Sequence, residues 1–240
     1  MSRGIFIIGT DTEVGKTVVS AGLMYLLLKN GFNAVYFKPV VSGEIDLQGV
    51  SVPADAAFVC AVSGLNEDIE KMTPFSFADA VAPHLAARLE HRTIDTAVIQ
   101  KSLNALKNRY DVIIGEGAGG LAVPLNDEGY MQHELIRELG FSCLLVARAG
   151  LGTINHTLLT LHVAKSVGLT IKGIIISGVG QTLIEQDNVV MIKKLSGVNA
   201  VFTLPTVVGV GTEKMHTGNL RDVFEQTINI DDIVGLLEIV

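Results

Sequence analysis

Tryptophan is absent from this 240-residue chain, and aromatic residues of all kinds make up only 5% of it. The hydrophobic content of 48% is therefore carried mainly by aliphatic residues. That profile suits a buried parallel sheet flanked by helices, whose strands read as continuous Val/Ile/Leu runs. Basic residues are in deficit: 18 Lys and Arg face 25 Asp and Glu, for a net charge of −7. A broad cationic face for nucleic acid is therefore not expected. Cysteine is scarce as well, and Cys60 and Cys143 both sit among apolar neighbours and away from any histidine in sequence. Buried, inert thiols of this kind fit a reducing cytosol. Long apolar runs are missing too. Near the N-terminus only Ile5–Ile8 qualifies, which is too short for the core of a signal peptide. Nothing approaches the roughly 18 apolar residues of a membrane span. The expectation is a cytoplasmic protein with neither a membrane nor nucleic acid as partner.

Further absences narrow the chemistry. The histidines show no pair at zinc-finger or i, i+4 spacing with supporting carboxylates. Neither a G-x-S-x-G elbow nor a G-x-G-x-x-G fingerprint stands at the first strand–helix turn, which lowers the serine hydrolase and NAD-dependent readings.

What is present is an alternation of strand and helix. Apolar, β-rich runs occur at Ile5–Ile8, Ala34–Tyr36, Tyr110–Gly115, Ser142–Ala147, Ile171–Ile176 and Ala200–Leu204. Helical patterns lie at 16–29, 55–63, 80–91, 94–108, 130–139, 153–167 and 186–196. Right-handed βαβ crossovers and a mostly parallel, doubly wound α/β sheet follow from that order. No repeat or linker divides the chain, so residues 1–240 are expected to form one α/β domain. Segments 41–54 and 206–222 are the least regular, and the second is long enough to suggest a functional loop.

The first strand runs into GTDTEVGKT, Gly9–Thr17. The generic phosphate-binding loop has four residues between its glycines, whereas Thr10, Asp11, Thr12, Glu13 and Val14 make five here. The context of strand, loop and helix nevertheless suits anion binding, because free N–H groups and the helix dipole converge at the start of the helix. Gly15 permits close approach of a phosphate, Lys16 adds a cation, and the Thr17 hydroxyl is a ligand for Mg²⁺. Lys38 follows the second strand and is held by Pro39. In a doubly wound sheet it shares an edge with Lys16, as a transferring phosphoryl group requires. Glu116, in YDVIIGEGAGG, stands where a phosphate-loop protein keeps a second carboxylate. Asp55 lies at a helix start, where capping alone accounts for it.

GTDTEVGKT, YFKPVVSG, VAPHLAA, GEGAGGLAVPL and GLGTINH, taken together and in this order, resemble the dethiobiotin synthetases. The resemblance spans residues 9 to about 162. It implies a P-loop NTPase-like homodimer that closes 7,8-diaminopelargonic acid and CO₂ into a ureido ring with ATP and Mg²⁺. By the same resemblance Lys38 and Lys16 are catalytic, and Thr17, Asp55 and Glu116 hold the metal. ATP would meet Glu13, Val14, Gly15, Lys16, Thr17, Val18, Asp55, Glu116, Gly117, Ala118 and Gly119, with Ser177 and Pro205 at the base. Thr12 and Ser42 would lie beside the diamine, and Gly152, Thr153, Ile154 and Asn155 would take its carboxylate across a dimer interface. The extra loop residue would let Thr12 and Glu13 face that second substrate. One departure stands out. Where many members carry an Asn that reads adenine, this chain has Ser177-Gly178, and a lone hydroxyl predicts weaker discrimination among triphosphates. The rival readings are an ATPase switch of the partitioning or septum-positioning class and a binding-only paralogue.

Overall fold

A computed structural model describes every residue from Met1 to Val240. The chain opens with β1 (Arg3–Gly9), α1 (Lys16–Lys29) and β2 (Ala34–Phe37). Three short strands follow, β3 (Val40–Ser42), β4 (Glu44–Leu47) and β5 (Val50–Pro53). Next come α2 (Ala54–Ser63), α3 (Ile69–Met72), β6 (Phe75–Phe77), α4 (Pro83–Leu89) and α5 (Thr96–Lys107). The middle of the chain holds β7 (Val112–Gly120), α6 (Gln132–Leu139), β8 (Cys143–Arg148) and α7 (Thr153–Ser166). Then β9 (Ile171–Val179), α8 (Leu183–Leu195) and β10 (Ala200–Pro205) complete the large sheet. The remainder is β11 (Val210–Gly211), β12 (His216–Thr217), α9 (Leu220–Thr227), α10 (Ile230–Val234) and β13 (Glu238–Ile239).

The aliphatic runs become the interior strands. The order across the sheet is β10-β9-β8-β1-β7-β2, with every one of these pairings parallel. Only β13 runs antiparallel, against Arg3 and Gly4 at the start of β1. Ile5, Ile7 and Ile8 of β1, Ile113 and Ile114 of β7 and Leu144–Ala147 of β8 are wholly inaccessible to solvent. Continuous aliphatic sequence is what helices on both faces of a sheet demand. α1 is apolar nearly all round because it packs on β1, β2, β7, α2 and α9.

The β1-to-β2 and β7-to-β8 connections run in opposite directions across the sheet, so right-handed crossovers put them on opposite faces. A crevice therefore opens at the carboxyl ends of β1 and β7, the topological switch point where such sheets bind ligands.

The structure corrects several boundaries. The strand expected to end at Gly115 continues to Gly120, so Glu116 lies inside β7 rather than in a loop. Small residues allow this: Gly120 still pairs with Gly9 after a shift in register. The helix expected over 80–91 is only Pro83–Leu89, with Pro83 fixing its first turn. Segment 41–54 is mostly strand, including the antiparallel β4–β5 hairpin. Residues 206–222 contain the β11–β12 hairpin and the start of α9. Cys143 is buried but Cys60 only half so, and burial pushes the two thiols up to about 12 and about 11 respectively.

Candidate active site

α1 begins without a side-chain cap, and Gly15 before it adopts φ 98°. A Cβ on Gly15 would be strained at that angle and would approach Ser177 Oγ to 3.1 Å. Glycine is thus required both by conformation and by space. Glu13 also takes a positive φ of 59°, which is rare for a residue with a side chain. The uncapped first turn leaves its N–H groups free for an anion. Lys16, almost fully buried, donates to the Asp11 carbonyl at 3.2 Å and so folds back over its own loop. Burial lowers its pKa to about 8, the nearby Lys38 charge adding to the effect and Glu116 opposing it.

Behind the loop lies a polar centre built from four elements. Lys38, just past β2, pairs with Glu116 Oε1 at 2.9 Å and with Asp55 Oδ2. The Thr17 hydroxyl on α1 lies 2.8 Å from Asp55 Oδ1 and 2.9 Å from Glu116 Oε1. Glu116 is completely buried, and its second oxygen accepts from Ser20 Oγ at 2.5 Å and from Tyr36 OH at 2.9 Å. Burial opposes the charge on Lys38, yet Asp55 and Glu116 together hold its ammonium above the ordinary lysine range. Burial likewise works against ionised Asp55, but Lys38 keeps its pKa below the usual carboxylate value. The centre is a buried, hydrogen-bonded ion cluster in which every charge has a partner.

Asp55 does not act as the helix cap that its position suggested. The cap of α2 is Pro53, without a side-chain bond, and the Asp55 carboxylate turns instead to Thr17 and Lys38. The hydroxyl of Thr17 and the carboxylates of Asp55 and Glu116 form a set of hard oxygens around one spot. That set suits a divalent cation that also takes phosphate oxygens and water, as Mg²⁺ does.

A cleft of about 710 Å³ opens over this centre. Thr12, Glu13, Gly15, Lys16, Thr17, Val18, Lys38, Ser42, Asp55, Ala118 and Gly119 from the sequence reading all line it. Other residues from that reading stand apart. The Val14 side chain is part of the hydrophobic core. Gly117 packs against Gln132. Ser177 rests against Gly15 from the end of β9, and Pro205 is exposed at the end of β10. Gly152–Asn155 form the start of α7, away from the cleft, where the buried Thr153 hydroxyl has no partner within the chain.

Sequence reasoning missed Glu44, Ala78 and Ala80 on the cleft wall, whereas Val210–Glu213 fall within the 206–222 segment expected to be a functional loop. It also missed Ser20 and Tyr36 behind Glu116. A serine in an otherwise apolar helix and a tyrosine in an apolar strand were the available signals, since buried hydroxyls need partners.

Among solved structures, this fold matches the septum site-determining protein MinD of Pyrococcus horikoshii in its Mg-ADP complex. The TM-score is 0.61 and the identity 17%, with 93% of each chain covered. A likeness at that identity carries the architecture alone, which is that of the P-loop NTPases. A family model described as AAA domain matches residues 3–214. Closer in sequence are curated relatives named ATP-dependent dethiobiotin synthetase. That of Clostridium kluyveri is 41% identical over 241 residues, 99% of either chain. That of Clostridium novyi is 46% identical over 211 residues, covering 86% of this chain and 89% of its own. The chain belongs to the dethiobiotin synthetase family.

Proposed function

We propose that the protein closes 7,8-diaminopelargonic acid and CO₂ into dethiobiotin, with ATP converted to ADP and phosphate. The observation that carries this reading is Lys38: a buried ammonium held between two carboxylates, on the floor of a cleft that also contains an extended phosphate loop. A P-loop switch needs room for a nucleotide. This cleft runs from Thr12 of the loop on to Ser42 and Gly43 beyond it, which leaves room for a second substrate.

In the proposed reaction CO₂ adds to one amine of the diamine as a carbamate. The carbamate oxygen takes the γ-phosphoryl group of ATP, and ADP leaves. The second amine then attacks the carbamoyl carbon, forming the second C–N bond and expelling phosphate. The carbamate and the triphosphate are both anions, so catalysis rests on positioning and charge neutralisation. Lys16 and the free N–H groups of α1 bind phosphate, and Lys38 faces the oxygens that carry the developing charge. Thr17, Asp55 and Glu116 would hold Mg²⁺, which would neutralise phosphate charge. Thr12 and Ser42 orient the diamine. Its distal carboxylate is assigned to Gly152–Asn155 of a second copy, where the start of α7 and the unpartnered Thr153 hydroxyl suit an anion.

Incubation with diaminopelargonic acid, bicarbonate, Mg²⁺ and ATP tests the reading, with dethiobiotin and ADP followed together. Equal formation of both is expected. ATP hydrolysis without dethiobiotin would favour the ATPase switch instead, and no turnover at all would favour a binding-only paralogue.

A further inference from the structure

The Gly117–Gly120 stretch lies between Glu116 and Thr12, puts Ala118 and Gly119 on the cleft wall, and is glycine at every position but Ala118. A chain of that composition has little intrinsic preference for one conformation. Gly119 sits at φ 63°, and a Cβ there would lie 3.5 Å from Thr12 Oγ1. Its pairing with β1 is interrupted between Glu116 and Gly120, so a further group is needed to fix this stretch.

We infer that Gln132 is a positioning residue of the active site, its side-chain amide acting as a substitute peptide unit that locks Ala118 and Gly120. Oε1 of Gln132 accepts from the Ala118 N–H at 2.6 Å, and Nε2 donates to the Gly120 carbonyl at 2.7 Å. The side chain is 97% inaccessible, since only 3% of its surface is exposed. It lies flush against the backbone, so that a Cβ on Gly117 would come within 2.7 Å of Nε2. Its own main chain is fixed as well. The Gln132 N–H donates to Val123 at 2.8 Å, and the preceding Met131 N–H is held by Glu134 Oε2 at 2.7 Å. One residue at the start of α6 therefore closes the excursion from 118 to 132 on itself. It also fixes the Ala118–Gly120 backbone, whose Gly119 stands beside Thr12 of the phosphate loop.

The role rests on the proposed function of the cleft, and Gln132 touches neither substrate nor metal ligand. It acts through the backbone of Ala118–Gly120, so its loss should be felt where sub-ångström placement matters, in turnover more than in ground-state binding.

The test compares wild type, Gln132→Met and Gln132→Glu by amide hydrogen exchange, thermal melting and steady-state dethiobiotin formation. Met keeps the volume but removes both hydrogen bonds. Glu keeps the acceptor for Ala118 and loses the donor to Gly120. In Gln132→Met the Ala118 amide should exchange about fivefold faster, the loss of one net hydrogen bond. kcat should fall by about tenfold or more, with KM for ATP moving less than about threefold. Gln132→Glu should keep the Ala118 amide protected and lie between the two in kcat. Unchanged protection of Ala118 in Gln132→Met would overturn the clamp. A lowered melting temperature with wild-type kcat would reduce Gln132 to a structural residue and overturn its role in catalysis. If wild type itself forms no dethiobiotin, the functional reading of the cleft fails, while amide exchange still decides the clamp.

Discussion

At the scale of single residues, the centre formed by Lys38, Asp55, Glu116 and Thr17 makes the sharpest expectations. Lys38→Ala should lower ring formation by at least about a thousandfold, on the scale of losing a preorganised charge in a water-poor site. ADP binding should persist in the variant. It would also leave Asp55 and Glu116 facing each other without their cation, at a cost of about 3 kcal/mol in urea unfolding. Near-normal turnover would remove Lys38 from the mechanism. Lys16 carries a pH signature. Its pKa of about 8, set mainly by burial, means the free protein loses this charge as pH rises through that value. ADP affinity measured calorimetrically between pH 7 and pH 9.5 should weaken above about pH 8. The sign for stability is the reverse. The native pKa lies below that of an unfolded lysine, about 10.4, so the unfolded chain binds more protons between these values. The unfavourable burial of charged Lys16 is complete below pH 8 and is relieved as pH rises towards the unfolded value. Ser177 gives a third expectation. CTP or GTP should support ring formation within a hundredfold of ATP, and a wider gap in competitive rates would refute weak base discrimination. Much of the centre was legible because a glycine–lysine loop after a strand, a lysine just past another and an acid within a glycine-rich run have few structural excuses. Asp55 was harder to read, since a carboxylate at the start of a helix has a local explanation. Only the fold shows it turned toward Thr17 and Lys38.

At the scale of elements, the strands and helices with continuous apolar sequence were readable within a few residues, because both faces of the sheet are covered. The small pieces were not. β4, β5, β11 and β12 are short and polar or mixed, and their pairing depends on turns rather than on an apolar face. α9 had a readable stripe in Leu220, Val223 and Phe224, all buried, but it followed directly on an irregular segment. This helix packs on α1 at a tight point: a Cβ on Gly22 would collide with the fully buried Phe224 ring. Gly22→Ala should therefore destabilise the fold by about 1–2 kcal/mol in urea unfolding, as overpacking outweighs the gain in helix propensity. A stabilised variant would show that α9 yields easily. Because Val210–Glu213 on the cleft wall lead into α9, loosening this contact should also weaken nucleotide binding.

At the scale of the whole molecule, the proposed carboxylate site at the start of α7 requires a second copy of the chain. Exposed apolar side chains are grouped on the elements around it: Leu151 before α7, Leu159 on α7, and Leu183, Ile184 and Val190 on α8. A contiguous apolar patch marks an interaction surface, and these residues are proposed to meet the second copy. Sedimentation should show a dimer. Leu151→Asp combined with Leu159→Glu should give a monomer that binds ADP but does not form dethiobiotin. A monomeric wild type with full activity would contradict the shared site.

The polar centre has a further consequence in time. Its hydrogen bonds join residues 38, 78 and 99 positions apart along the chain. Glu116, the hub, lies in a parallel strand inserted between two earlier ones. Parallel pairings over such separations form late, after the cost of closing long loops has been met. During synthesis Lys38 and Asp55 emerge well before the carboxylate that completes their cluster. A nascent chain that stops short of residue 116 thus has the phosphate loop without its catalytic floor. Under the proposed function, competence to transfer a phosphoryl group would wait for the insertion of β7 between β1 and β2.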